Sequence, residues 1–266
     1  MIRLNLHRID RANGNTPVLY NHEIDEYAQA VIEDYKPELL KEPKAVRFGH
    51  FLESYLDMRI EYQHIYNKDP ERPILAMTAF EKGRLKVFDK ENKCTGHVFI
   101  QPRTVVIDNI VTKPGMEGLA LFSGLHEGGH ITMHGHIYAD RKNYAGEFKP
   151  DENISVSPVV CCRRDSIEKF GKTNGKKLRT AKEWREHQAN YFAAAMAMPN
   201  ATFKPFVNQL MRENGYYRSS IILGQDGDWD ILADEILPDA ISEVYGVSKH
   251  AARIKLKTCG FVIGNI

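Results

Sequence analysis

The sequence predicts an α+β protein, with a few strands early, two long helices after them and further helices at both ends. Three observations carry this. Residues 59–107 hold several short, apolar, β-favouring runs. Residues around 121–130 have helical apolar spacing, and residues 180–199 lie between a capping box and a proline.

In chain order, Asn21 is placed to cap a helix in which Ile24, Tyr27, Ala28, Val31, Ile32 and Tyr35 follow helical spacing, with Pro37 near its end. A second, short helix is expected over 48–56, after Pro43. Strands are expected over 59–64, 74–80 and 84–88, with Lys82-Gly83 as the hairpin turn between the last two. Another follows over 104–107, before Lys113-Pro114-Gly115 punctuates the entry to the next helix. That helix turns Leu121 and Leu125 to a core, while Phe122, His126 and His130 share another face. A short strand is expected over 159–162 within a turn-rich linker. The helix after Thr180 and Glu183 stops at Pro199, and one from Asn200 carries Phe203, Phe206, Val207, Leu210 and Met211 as far as Asn214-Gly215.

The most informative residues are His126-Glu127-Gly128-Gly129-His130, an H-E-x-x-H pattern on a helix. Residues four apart on a helix are separated by about 40° around the axis and about 6 Å along it. Both imidazoles can therefore reach one metal ion, and Glu127 can hold and deprotonate a water there, the zinc-protease arrangement. A carboxylate on a second helix would complete a His-His-Glu set with one position left for solvent. Glu186 is the candidate, and Asn190, one turn on, can hydrogen-bond a ligand.

Together, H-E-x-x-H at 126–130 and Glu186, Ala189, Asn190, Phe192, Ala193, Met198 and Pro199 resemble the ImmA/IrrE family of zinc metallopeptidases. His134 also matches a histidine common in that family, and the resemblance covers most of residues 20–215. It implies a gluzincin-like protease core over 71–215, made of a small β-sheet, the H-E-x-x-H helix and the glutamate helix. An N-terminal helical segment (1–70) and a C-terminal one (216–266) flank that core. It implies bound zinc (Zn2+) and a regulatory endopeptidase whose protein substrate is of bacterial or mobile-element origin, such as a helix-turn-helix transcriptional repressor. This chain departs from the pattern in having Gln188 where relatives often carry an acid. It also has a longer segment between His130 and Glu186. Gly128 and Gly129 each cost about 1 kcal/mol in a helix relative to alanine, which a close approach of the partner helix or of substrate backbone would explain.

A rival ligand set is His126, His130 and His136, whose spacing is that of H-E-x-x-H-x-x-G-x-x-H. That pattern needs a glycine to turn the chain back; Met133 stands there, and Gly135 comes too late. His134 and His136 are expected instead to cap the helix end.

The 266 residues can bury a sizeable core, and a net charge of +1 gives no general electrostatic case for nucleic acid or acidic membranes. No apolar run approaches the ~20 residues that cross a bilayer. The start, Met-Ile-Arg-Leu-Asn-Leu-His-Arg, lacks the apolar core of a signal peptide, so the expected location is cytoplasmic. Cys94, Cys161, Cys162 and Cys259 have no C-x-x-C spacing and are expected to be thiols. Adjacent on a strand, Cys161 and Cys162 would face opposite ways, one of them buried.

Residues 226–243 hold seven acids and no base; residues 246–266 hold Lys249, Arg253, Lys255 and Lys257 and no acid. Ser248 caps a helix ending near Gly260 that has a helix-turn-helix look, which raises DNA binding as an alternative function. Four bases beside seven acids make a poor phosphate surface, and a helix pair packed on the core is the expectation. A further alternative is a zinc-binding protein with little proteolytic activity.

Overall fold

A computed structural model describes residues 2, 4, 8–10, 14–139, 159–163, 178–225 and 227–264. The element order is β1 (Ile9–Asp10), β2 (Thr16–Pro17), α1 (Asn21–Tyr35), α2 (Phe48–His50, continued as a π-helical turn over Phe51–Tyr55), β3 (Arg59–Gln63), β4 (Ile74–Ala79), β5 (Gly83–Asp89), β6 (Cys94–Ile100) and β7 (Thr104–Asp108). There follow α3 (Glu117–Ala139), β8 (Val159–Arg163), α4 (Ala181–Ala197), α5 (Asn200–Glu213), β9 (Ile221–Ile222) and α6 (Trp229–Ile231, continued as a π-helical turn over Leu232–Ile236). The last elements are α7 (Leu237–Tyr245), α8 (Lys249–Thr258) and β10 (Val262–Ile263). The mixed α+β expectation holds.

The main sheet has the order β3-β7-β4-β8, with β3 parallel to β7 and β4 antiparallel to both β7 and β8. Its middle strands β4 and β7 are buried along their whole length because both faces are covered. Alternation sorts the side chains. Ala76, Val105 and Ile107 join the core under the helices, while Met77, Ala79 and Val106 join a smaller cluster with Leu85 and Ile100 of the β5-β6 hairpin. The expected hairpin at Lys82-Gly83 is not formed. The chain leaves β4 for a separate two-stranded sheet, where β5 pairs with β6. Strand β6 had no strong signal because Cys94-Thr95-Gly96-His97 is polar and mostly exposed.

Helix α3 is the axis of the molecule. Residues 121–130 are buried without a break, so the expected division into a core face and another face is replaced by burial all round. Leu121 and Leu125 do enter the main core, as does Phe122. The glycines allow neighbours in. A Cβ on Gly129 would lie 3.1 Å from the Ala189 Cα on α4, so the partner helix does come close there. At Gly128 the neighbour is a side chain instead, with Phe51 Cε1 at 2.7 Å from where a Cβ would stand. Near the helix start, Gly118 lies under the turn before α8, where a Cβ would meet the Ser248 backbone nitrogen at 2.6 Å.

The helix boundaries follow local chemistry. Asn21 is the first residue of α1 rather than its cap; Tyr20 takes that place, and its N–H donates to Glu23 Oε2 at 2.7 Å. Thr180 caps α4 as expected, accepting from the Glu183 N–H at 3.2 Å while Glu183 Oε2 accepts from the Thr180 N–H at 3.0 Å. Ser248 caps α8, accepting from the Ala251 N–H. Among the described residues no helix is long and apolar enough to cross a membrane.

Candidate metal centre

Helices α3 and α4 pack side by side, and the site forms between them. The spacing of four on α3 brings His126 Nε2 within 3.0 Å of His130 Nε2. From α4, Glu186 spans both: its Oε2 is 3.6 Å from His126 Nε2, and its Oε1 is 3.6 Å from His130 Nε2. Bond lengths of ~2.0–2.2 Å around a tetrahedral ion put neighbouring ligand atoms about 3.3–3.6 Å apart. Two of the separations match that spacing and the third, 3.0 Å, is slightly shorter, so two imidazoles and a carboxylate form one triangular face fit for a small divalent cation. The expected set of His126, His130 and Glu186 is brought together.

Both imidazoles are fully buried, while the Glu186 side chain keeps 19% of its surface exposed. The face therefore has an open side at its carboxylate. Burial pushes His126 down to about 4, with a hydrogen bond to Asn190 opposing the shift, and holds His130 well below the usual range. Neutral imidazoles are the form that ligates metal. Asn190 Oδ1 lies 2.9 Å from His126 Nδ1, where it accepts the ring N–H and leaves Nε2 with a lone pair aimed at the site.

Glu127 is fully buried, and both its oxygens are held: Oε2 accepts from the Thr78 hydroxyl at 2.5 Å, and Oε1 from the Cys162 N–H at 3.1 Å. Burial pushes its pKa up to about 8. The Thr78 hydrogen bond opposes that shift, the nearby Glu186 charge adds to it, and the Cys162 N–H opposes it. The sheet thus fixes the orientation of Glu127 from β4 and β8 at once. The Cys162 side chain is buried; that of Cys161 lies outside the described residues.

His134 and His136 do not cap the helix. Helix α3 runs on to Ala139, leaving His134 inside it and His136 in its last turn. His134 is fully buried, with its Nδ1 3.0 Å from His130 Nδ1 and its Nε2 2.8 Å from Gln188 Oε1. His136 Nε2 instead reaches the Asn15 carbonyl at 3.4 Å. His187 and Tyr191, near Glu186 in sequence and able to donate to an oxyanion, turn to α1. They contact Asn21 Oδ1 at 3.1 Å and Asp25 Oδ2 at 3.0 Å respectively. Tyr138 carried no signal in the sequence, yet it is buried close enough to the centre to feel it. Burial raises its hydroxyl pKa; Arg185 opposes that shift, while Glu186 and Glu127 reinforce it.

Residues 169–257 match the family model Peptidase_M78, described as the IrrE N-terminal-like domain. The resemblance to the ImmA/IrrE family is borne out. The match takes in Glu186, Gln188 and Asn190, extends past residue 215 into the last turn of α8, and begins after the H-E-x-x-H helix. By its description the ImmA/IrrE-type match is to a peptidase family, consistent with a metallopeptidase type of function. Comparison with the curated proteins gives no match. Among solved structures, a Mycobacterium tuberculosis transcriptional regulator is similar at 12% identity and a TM-score of 0.41, over 89% of this chain and 46% of that one. This chain thus spans less than half of that regulator's length, and at that TM-score the likeness is too slight to bear on fold or function.

Proposed function

We propose that the protein is a zinc-dependent endopeptidase with a gluzincin-like core, a regulatory protease acting on a protein substrate such as a transcriptional repressor in the cytoplasm. The observation that carries this is the face of His126, His130 and Glu186, with separations of 3.0, 3.6 and 3.6 Å, beside a buried Glu127. The core is assigned to residues 71–215, with strand β3 lent by the N-terminal segment (1–70) and the turn before α8 lying on α3 from the C-terminal one (216–266).

His126, His130 and Glu186 are the proposed ligands, and Asn190 supports His126. A zinc ion held there would polarise the scissile carbonyl and lower the pKa of a water it holds toward ~7. Glu127 accepts the proton of the attacking water and returns it to the leaving amine. Its two oxygens are oriented by Thr78 and the Cys162 N–H, and each retains a lone pair for that proton. A carboxyl pushed up to about 8 by burial can keep a proton between the two halves of the reaction.

DNA binding by the C-terminal helices is disfavoured by where the charges go. Lys249 pairs with Asp239 at 2.6 Å, Arg253 donates from Nε to the Asp234 carbonyl at 2.9 Å, and Lys255 is buried 4.0 Å from Asp25. Two of the four bases thus face acidic side chains of the same chain, and a third is tied to a backbone carbonyl.

The test is a proteomic comparison of cells expressing the wild type with cells expressing Glu127→Gln, together with the zinc content of both proteins. Cleavage of a defined protein by the wild type alone, with zinc retained in the variant, is expected. Equal phenotypes and equal proteomes would favour a zinc-binding protein without proteolysis.

A further inference from the structure

Helix α4 addresses the two α3 histidines through separate polar residues. Asn190 touches His126 directly, whereas His130 is reached through two further residues, Gln188 and then His134, neither of which is a proposed ligand. We infer that Gln188 and His134 form a relay that fixes the tautomer of His130, so that its Nε2 is held as a lone pair facing the ion. The inference rests on the metal-centre reading above and assigns positioning, not catalysis, to the two residues.

The relay starts at a group with no freedom. The Pro17 carbonyl of β2 can only accept, and Gln188 Nε2 lies 2.7 Å from it. The amide nitrogen is therefore committed to that side, and Oε1 must point the other way, to His134 Nε2 at 2.8 Å. An amide oxygen can only accept, so His134 carries its hydrogen on Nε2. Uncharged in a fully buried place, His134 then has a lone pair on Nδ1, and His130 Nδ1 lies 3.0 Å from it. Two lone pairs cannot share that contact, so His130 donates from Nδ1. Its Nε2 is left without a hydrogen.

The same holds for His126, whose Nδ1 donates to Asn190 Oδ1. The two Nε2 atoms therefore stand 3.0 Å apart with no hydrogen between them. Two acceptors this close repel in the absence of a cation, and one ion answers both. Without the relay, His134 could carry its hydrogen on Nδ1 and donate to His130, which would then hold its own hydrogen on Nε2 and be lost as a ligand. The β2 strand thus contributes to the centre through a backbone carbonyl more than a hundred positions earlier in the chain.

The experiment has two readouts on the full-length protein. In the metal-free, histidine-labelled protein, long-range 1H–15N NMR reports which ring nitrogen carries hydrogen. His130 is expected as the Nδ1–H form and His134 as the Nε2–H form, and Gln188→Leu is expected to disturb both. Competition with a chromophoric chelator then gives the zinc Kd. Gln188→Leu is expected to bind zinc about 10–100-fold more weakly, the usual effect of losing a group that orients a ligand. Gln188→Glu, which keeps an oxygen acceptor toward His134, should stay within a few-fold of the wild type. A wild-type His130 found in the Nε2–H form, or a folded Gln188→Leu protein with wild-type tautomers and Kd, overturns the relay. Wild-type protein with these tautomers but no zinc affinity would overturn the metal reading and leave the relay standing.

Discussion

The Thr78 hydroxyl, in the middle of the sheet, donates to the Glu127 carboxylate at 2.5 Å. The proposed base is thus held by the strand under the helix as well as by the helix that carries it. Thr78→Val keeps the shape and removes the donor. The loss is expected to cost about 1–3 kcal/mol, seen as a lower midpoint in urea unfolding. It also removes an interaction that keeps the Glu127 pKa from rising further. A base must be deprotonated to act, so the acidic limb of the pH–rate profile should move to higher pH. An unmoved limb would mean that Thr78 does not act on Glu127.

The close approach of α3 and α4 at Gly129 yields a second expectation. A Cβ there meets the Ala189 Cα at 3.1 Å and its carbonyl oxygen at 3.3 Å, and helix backbone yields less readily than a side-chain tip. Gly129→Ala should separate the helices, cost about 1–3 kcal/mol and weaken zinc binding at least about tenfold. Gly135 on the same helix has nothing within 4 Å of such a Cβ among the described residues. Gly135→Ala should add up to about 1 kcal/mol of stability and leave zinc affinity alone. Thermal melts and zinc titrations of the pair check this, and equal effects at the two sites would contradict it.

Stability of the metal-free protein should depend on pH in two opposed ways. Burial depresses His126 to about 4, His134 to about 3, and His130 well below 6.5. Unfolded histidines titrate near 6.5. Below that pH the unfolded chain therefore binds more protons than the folded one, and stability falls as pH falls. Glu127 runs the other way: raised from 4.5 to about 8, it makes the folded state bind the extra proton, so stability falls as pH rises through that window. Three histidines outweigh one carboxyl below 6.5, and above it this carboxyl dominates the centre. The melting temperature of chelator-treated protein should peak near pH 6.5. A steady climb to pH 8 would show that Glu127 is not held in its acid form.

The fate of the C-terminal charges makes a fourth expectation. With Lys249, Arg253 and Lys255 engaged inside the chain, the intact protein should show no salt-dependent affinity for duplex DNA. Binding that weakens steeply with salt, measured by fluorescence anisotropy, would restore the helix-turn-helix alternative.

Much of the centre was legible in the sequence because its parts obey one local rule. His126 and His130, and likewise Glu186 and Asn190, are each one helical turn apart, and Thr180 with Glu183 marks where the second helix begins. The supporting residues were not legible, since they meet only in the folded chain. Thr78 reaches Glu127 across the sheet, Phe51 fills the space at Gly128, and residues 17, 134 and 188 converge from three elements. The place of His134 was not legible either, because nothing local marks how far this helix runs, and it continues to Ala139. Strand β6 was missed for a different reason: a hairpin lying over one face of the main sheet can keep polar, exposed residues, and alternation is weak there.

Metal content tests the account most directly. Inductively coupled plasma mass spectrometry on wild type, Glu186→Ala and His136→Ala should find one zinc per chain in the first and third and a large loss in the second. Wild type without a stoichiometric divalent metal, or full zinc retention in Glu186→Ala beside loss in His136→Ala, would contradict the centre described.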